Sequence, residues 1–291
     1  MTEQHPQITA LVLGASGMLG NAVLRLFAQS EGIRAVGSAR SGAAVRKLPS
    51  ELRSHVMTGV DVESIDSLTR LFAEVRPQVV INCIGLVKQR AEGDDPLSAL
   101  PINALLPHRL ARLCAVAGAR FVHVSTDCVF AGTRGAYVET DAPDAQDLYG
   151  RSKLLGEVDY PHAITLRTSI IGHELDSAHG LVGWFLAQQG PVRGFSKAVF
   201  SGLPTVELAR VIRDHVLPYP SLRGLYHVSA APIDKYSLLK LVAQTYRRTN
   251  DITPEDKVVI DRSLDSSLFR AATRYQPPEW PELVRRMRDF S

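Results

Sequence analysis

Ala10-Leu-Val-Leu-Gly14-Ala-Ser-Gly17-Met-Leu-Gly20 is the stretch whose reading decides the fold. Four apolar residues, Ala10 to Leu13, run straight into Gly14, the pattern of a buried parallel strand reaching its carboxyl end. Gly14, Gly17 and Gly20 fall at equal spacing, and a helical apolar pattern begins behind them at Leu19, Val23, Leu24 and Phe27. Strand, tight glycine turn and helix start together predict the phosphate cradle of a dinucleotide-binding fold. In that reading Gly14 makes the turn, Gly17 lets a pyrophosphate approach bare backbone, and Gly20 lets the helix lie close on the sheet. Gly14, Ser16, Gly17, Met18, Leu19 and Gly20 are the candidate cradle residues.

Outward from this unit the same alternation repeats. Ile33–Val36 predicts a second strand and His55–Val60 a third. A helix is predicted over Ile65–Val75 and a fourth strand over Val79–Ile84. Leu97–Ala117 has helical periodicity that Pro107 should kink or restart. Phe121–Ser125 reads as a fifth strand, Asp147–Glu157 as a helix and Ala163–Thr168 as a sixth strand. The expected fold is therefore α/β, a doubly wound parallel sheet of the Rossmann type. After Gly172 the pattern loosens. Helices are expected near Gly180–Gln189, Val206–Val216, Ile233–Arg247 and Glu282–Asp289, with a short strand at Gly224–Val228. Residues 1–170 read as the cofactor-binding domain, and 171–291 as a smaller, mixed α/β region for substrate, part of which returns to the sheet.

Composition narrows the function. The chain of 291 residues is 45% apolar and 22% charged, ordinary values for a soluble globular protein. A net charge of +3 argues against nucleic acid as partner while suiting an anionic small molecule. The three cysteines, Cys83, Cys114 and Cys128, form no CxxC pair, which points away from zinc or a disulfide framework and toward a reducing cytoplasm. No apolar run reaches membrane-spanning length.

The dinucleotide can be narrowed further. An NAD site places an acid about twenty positions beyond the glycine turn, on the ribose 2′-hydroxyl. Here that window holds Ser38, Arg40 and Ser41, with no acid between Glu31 and Glu51. A guanidinium with hydroxyls suits a 2′-phosphate, so NADP(H) is the expected cofactor, with Ser38 and Arg40 as its contacts.

Tyr149-Gly-Arg-Ser-Lys153 sets a phenol and an ammonium on one helix face. An adjacent ammonium lowers a phenol's pKa and lets it exchange a proton with a ketone or alcohol. Tyr236-Ser-Leu-Leu-Lys240 repeats the spacing, but Leu238, Leu239 and Val242 make it an ordinary amphipathic helix. At the exit of the fifth strand, Ser125-Thr126-Asp127-Cys128-Val129-Phe130 brings hydroxyls to the cleft, where one can donate to a carbonyl oxygen gaining charge.

These three motifs, with Asp61-Val62, Asn82, Asn103 and Arg167-Thr168, resemble the extended short-chain dehydrogenase/reductases. The run Ser125-Thr126-Asp127-x-Val129-Phe130-x-Gly132 resembles the dTDP-4-dehydrorhamnose reductase group of nucleotide-sugar reductases. The resemblance implies Thr126, Tyr149 and Lys153 as the catalytic triad. It places Tyr149 and Lys153 at the nicotinamide ribose, Asp61 and Val62 at the adenine, and Cys83, Ile84 and Gly85 among the cofactor contacts. Asp61 reads equally well as an acid opening a helix, and Asn103 as a buried amide bonding backbone. Two positions depart from the group: Cys128 stands where Tyr is usual, and Met18 where Gln is usual. Cysteine in place of the Glu that serves as base in 4,6-dehydratases argues against that chemistry.

The implied activity is NADPH-dependent reduction of a 4-keto-6-deoxy nucleotide sugar in the cytoplasm, with no membrane or nucleic-acid partner and a homodimer left open. The resemblance also extends to a non-catalytic NADP-binding regulatory subunit, the β subunit of methionine adenosyltransferase, and to nucleotide-sugar epimerases. For the substrate, Arg193 and Lys197 are candidate diphosphate contacts or plain surface charges, and His173, His179 and Trp184 are candidate sugar contacts. His108, His123 and Cys114 read as packed side chains.

Overall fold

The computed structural model describes residues 7–87, 91–175 and 177–291. At its centre lies a seven-stranded parallel sheet. Its strands are β1 (Ile8–Leu13), β2 (Ile33–Ser38), β3 (Val56–Met57), β4 (Val79–Asn82), β5 (Arg120–Thr126), β6 (Ala163–Thr168) and a last strand, Gly224–His227. The spatial order is Gly224–His227, β6, β5, β4, β1, β2, β3. The order reverses between β1 and β4, and the crevice above their carboxyl ends is where such sheets bind ligands.

The apolar run in β1 is explained by burial on both faces. Ala10 and Val12 pack into one apolar layer with Val23, Leu24 and Phe27 of helix α1 (Met18–Ala28). Leu11 and Leu13 pack into the opposite layer with Leu68, Leu71 and Phe72, and with Leu106 and Leu110. At roughly 25 cal/mol per Å² of apolar surface, these layers are the main stabilising contribution.

The third strand is shorter than expected. A 3₁₀ turn over Ser50–His55 precedes it, and Gly59, at φ +75°, turns the chain away, leaving two residues on Gly37 and Ser38 at the sheet edge. β4 stops at Asn82 because its side-chain Oδ1 accepts from the Ile84 N–H (3.1 Å), drawing the chain out of the ladder. The predicted Leu97–Ala117 helix is Pro96–Ala99, a π-helical segment Leu100–Leu105, and Leu106–Ala117. Pro101 and Pro107 bracket that segment, each removing an N–H donor, so the helix restarts just before Pro107.

Beyond β6 the chain serves both the sheet and a second layer. Helix Thr205–Val211 packs on α1, and Gly224–His227 extends the sheet beside β6. Short strands that carry little periodicity form the rest. Val192–Phe195 pairs with Ile252–Glu255, and Ala198–Phe200 lies between Ile233–Asp234 and Ile260–Asp261. The final helix opens at Trp280, two residues before the expected start, with the indole N–H donating to the Ala231 carbonyl (2.7 Å). Among the described residues no helix is long and apolar enough to cross a membrane.

Candidate active site

The glycine turn behaves as its spacing predicts, with one change. Gly14 leaves β1 at φ +79°, a conformation costly for any side chain, and a Cβ there would lie 2.8 Å from Ile84. A Cβ on Gly20 would stand 2.0 Å from the Gly14 carbonyl oxygen. The third glycine therefore lets α1 close on the turn itself rather than on the sheet face. Gly17 caps α1 with no side-chain hydrogen bond, and the first helical turn holds no acid. Met18, Leu19 and Gly20 thus present free backbone amides at the positive end of the helix dipole, which fits an anionic pyrophosphate.

The flanking strands complete the crevice. Ala15 donates to the Ser38 carbonyl (3.0 Å), and Cys83 to the Leu13 carbonyl (3.1 Å), which ties the turn to the ends of β2 and β4. Ser38 is buried and Arg40 exposed just beyond it, while the Ser41 hydroxyl caps the next short helix. Asp61 is exposed and its Oδ1 accepts from Glu63 N–H (3.0 Å), the geometry of an acid opening a helix; Val62 packs half-buried beneath it. Burial pushes the Cys83 thiol up to about 12, against the pull of the Lys153 charge. Gly85 lies beside Lys153.

The second half of the site sits at the exit of β5. Helix Leu148–Leu155 is opened by the Asp147 carboxylate, which accepts from Gly150 N–H (2.7 Å). A Cβ on Gly150 would fall 2.3 Å from the Cys128 carbonyl oxygen, so the glycine between Tyr149 and Lys153 lets this helix reach the turn after β5. There Tyr149 comes beside the Thr126 hydroxyl. Thr126 accepts from Cys128 N–H (3.1 Å) and donates to Asp127 Oδ1 (3.2 Å). Lys153 is 5% exposed and donates to the Val124 carbonyl (2.8 Å).

The electrostatics differ from the sequence expectation. Burial holds the Tyr149 phenol above its ordinary pKa, with Cys128, Asp127 and Asp147 adding to the rise and the nearby Thr126 hydroxyl opposing it. The Lys153 ammonium, which donates to the Val124 carbonyl, is not among the groups that shift it. Burial instead brings the Lys153 ammonium itself down to about 8, partly countered by Glu157 and Cys83.

Several groups at the site carry no motif in the sequence. Arg262, from the C-terminal region, donates through Nε to the Phe130 carbonyl (2.8 Å) and through a terminal nitrogen to Cys128 Sγ (3.6 Å). Glu157 accepts from Ser125 Oγ (2.7 Å) and from Arg167 at 2.7 and 2.6 Å. Arg167 lies over the Phe130 ring and reaches His227 Nε2 (3.4 Å). Glu157 could have been suspected as an acid one helical turn beyond Lys153, whereas Arg262 is brought in only by tertiary folding. Asn103 takes the structural role: its amide accepts from Leu86 N–H, and donates to Leu86 O and Ser152 Oγ.

Other candidates lie apart from this cluster. Arg193 and Lys197 are exposed and face Glu255 (3.5 Å) and Asp256 (3.4 Å). His173 bonds the Tyr246 hydroxyl through Nε2 (2.7 Å), and His179 and Trp184 are exposed. His108 is bonded to Tyr160 and Leu155, and His123 is buried against Asn82. The Tyr236–Lys240 pair makes a cation–π contact on a helix whose Leu238, Leu239 and Val242 face the core. A groove of about 550 Å³ lined by Glu31, Arg213 and Asp214 opens at the amino ends of β1 and β2, opposite the crevice, and holds none of the site residues.

A family profile described as the RmlD substrate binding domain matches residues 8–289, nearly the whole chain. The chain belongs to this family. A probable low-salt glycan biosynthesis reductase of Haloferax volcanii is 33% identical over 180 residues, spanning 60% of this chain and 57% of that relative's length. The methionine adenosyltransferase 2 subunit beta of Danio rerio is 29% identical over 255 residues, covering 83% of this chain and 75% of that protein. In structure, a dTDP-4-dehydrorhamnose reductase of Bacillus anthracis in complex with NADP superposes with TM-score 0.79 at 20% identity, over 97% of this chain and 99% of that one. At that identity the likeness establishes the RmlD-type fold.

Proposed function

We propose that this RmlD-family protein is an NADPH-dependent reductase of a 4-keto-6-deoxy nucleotide sugar, acting in the cytoplasm. The observation that carries the reading is Tyr149 and Lys153 set by one helix beside Thr126 at the carboxyl end of β5, across the crevice from an uncapped helix N-terminus. The names of the archaeal reductase and of the NADP-bound structural neighbour support it.

In this reading Gly14, Ser16, Gly17, Met18, Leu19 and Gly20 hold the pyrophosphate, Ser38 and Arg40 the 2′-phosphate, Asp61 and Val62 the adenine, and Cys83, Ile84 and Gly85 line the nicotinamide side. When bound, the nicotinamide supplies the hydride. Tyr149 gives its proton to the ketone oxygen, Thr126 donates a hydrogen bond to the same oxygen as charge builds there, and Lys153 holds the ribose. A donor already in place costs no reorganisation when the charge develops. Residues 171–291 supply the walls of the substrate cleft.

NADPH oxidation with candidate keto-sugars, by the purified protein alone, tests this. Tyr149→Phe should lose at least about 10²-fold in kcat, the scale of a general acid, and keep NADPH binding, while Tyr236→Phe stays at the wild-type rate. The reverse pattern refutes the assignment. The likeness to the methionine adenosyltransferase subunit favours a second reading, a partner-bound regulatory module. That reading predicts NADPH binding with no oxidation of any keto-sugar. The half-buried phenol and the buried hydroxyl and ammonium weigh against it, because a pure binding module has no use for them.

A further inference from the structure

Cys128 is where three parts of the site meet. Its N–H donates to the Thr126 hydroxyl (3.1 Å), its carbonyl oxygen lies against Gly150 between Tyr149 and Lys153, and its Sγ accepts from Arg262 (3.6 Å). The turn that carries it, Asp127–Val129, is a single 3₁₀ turn capped by Thr126 and closed by the Phe130 N–H on the Asp127 carbonyl (3.0 Å). So short a turn has poor hydrogen-bond geometry of its own, and its shape depends on what it is fixed to. Arg262 supplies that fixing. Its Nε donates to the Phe130 carbonyl (2.8 Å) while a terminal nitrogen reaches Cys128 Sγ, so one rigid plane spans the turn from its middle to its end.

The neighbouring backbone is shaped to admit this guanidinium. Gly132 and Gly135, at φ +85° and +77°, lie in the loop beyond the turn. A Cβ on Gly132 would stand 2.5 Å from Ile260 and 2.8 Å from Arg262 Cγ, and one on Gly135 would stand 2.3 Å from the Asp261 carboxyl group. Bare backbone at both positions lets residues 260–263 lie along the loop. There Asp261 N–H donates to the Gly132 carbonyl (2.8 Å), and Tyr137 N–H to the Ser263 carbonyl (2.9 Å). Arg262 is half-buried in this seat, and its charge favours the ionised form of Asp127, the buried acid of the same turn.

We infer that Arg262 is a positioning residue for the proposed reduction, fixing the turn after β5 and with it the Thr126 hydroxyl relative to the helix that carries Tyr149 and Lys153. The inference rests on the reductase reading. In that reading Thr126 and Tyr149 must meet one ketone oxygen. Cys128 links their approaches, since its N–H holds Thr126 and its carbonyl meets the helix at Gly150. Releasing Cys128 Sγ and the Phe130 carbonyl frees the turn to shift against that helix. A displacement of about 1 Å at a reacting group can cost about 10²-fold in rate. NADPH, whose proposed phosphate contacts lie across the crevice, should be held as before.

Two measurements on the full-length protein test the inference. The first needs no substrate. Amide hydrogen exchange in residues 127–131 should be at least about tenfold faster in Arg262→Gln than in wild type, and unchanged in β1 and α1. Unchanged exchange in 127–131 overturns the inference. The second is steady-state reduction of a keto-sugar. Arg262→Gln should lose about 10–100-fold in kcat with KM and NADPH affinity within about threefold of wild type, the pattern of an interaction felt only in the transition state. Arg262→Lys keeps the charge but cannot hold both partners from one plane, so its kcat should stay at least about fivefold below wild type. A loss carried by KM with kcat unchanged means that the guanidinium binds substrate directly, and refutes the positioning role; a fully active Arg262→Lys refutes it as well. Should near-ultraviolet circular dichroism show Arg262→Gln unfolded, Arg262→Lys carries both measurements. If wild type reduces no keto-sugar, the functional reading fails, and hydrogen exchange still decides whether Arg262 holds the turn.

Discussion

Breaking the Glu157–Arg167 pair should damage this protein more than any surface charge change. The two side chains are 11% and 4% exposed, and the guanidinium meets the carboxylate with two bonds of 2.7 and 2.6 Å. Glu157→Ala leaves a buried guanidinium with the His227 ring, the Phe130 face and the more distant Glu139 carboxylate. Removing one partner of a buried pair costs about 3–5 kcal/mol, because the other charge stays desolvated and uncompensated. At about 2 °C per kcal/mol for a chain somewhat larger than 250 residues, that is a fall in Tm of roughly 6–10 °C. Arg167→Met should cost a similar amount by leaving Glu157 with the Ser125 hydroxyl and the more distant Lys153 charge. The double variant Glu157→Leu/Arg167→Met removes both charges and should recover most of the loss, since apolar replacement of a buried pair is often near neutral. Thermal melts of the four proteins, monitored by near-ultraviolet circular dichroism, make the cycle. Losses below about 1 kcal/mol for each single variant, or strictly additive losses in the double, would refute the claim that desolvated charge dominates at this position.

Arg40→Ala should weaken NADPH binding by about 1–3 kcal/mol, a charge-assisted contact, and leave NADH nearly unchanged; calorimetric titration of both cofactors checks it. Gly20→Ala should abolish tight cofactor binding, because its Cβ would stand 2.0 Å from the Gly14 carbonyl oxygen and the turn would have to move; fluorescence titration with NADPH reads this directly. Lys153, brought down to about 8 by burial, should lose its proton as pH rises through 8, so any activity that needs the ammonium falls there. Because its pKa in the unfolded chain is near 10.5, the unfolded state binds more protons between those values, and this group's contribution to stability rises with pH across that window. Lys153→Arg should carry the activity limb above pH 10 in the kcat/KM profile.

The sheet, its cofactor crevice and the Tyr149–Lys153 pair were all legible in the sequence, for one physical reason. Each depends on residues close together in the chain: a buried strand must be apolar on both faces, a tight turn against a helix start demands glycine, and an i, i+4 pair shares a helix face. The short strands at Val192–Phe195 and Ile260–Asp261 were not legible, because two to four residues carry no usable period. Glycine spacing predicted that Gly20 brings the helix onto the sheet, whereas the structure sets it against the Gly14 turn.

Tertiary structure decided the charges. The pairing of a phenol with an ammonium predicts a depressed tyrosine pKa, yet burial raises it and the Val124 carbonyl claims Lys153. Arg193 and Lys197 read equally as anion contacts or surface charges, and the fold sets them exposed beside the carboxylates of Glu255 and Asp256. Arg262 reaches Cys128 across 134 residues of sequence, and no local pattern could announce it. Solvent exclusion and the distance between charges far apart in the chain exist only once the chain has folded. The sequence alone therefore named the groups suited to the chemistry, and the fold set the surroundings that shift their protonation.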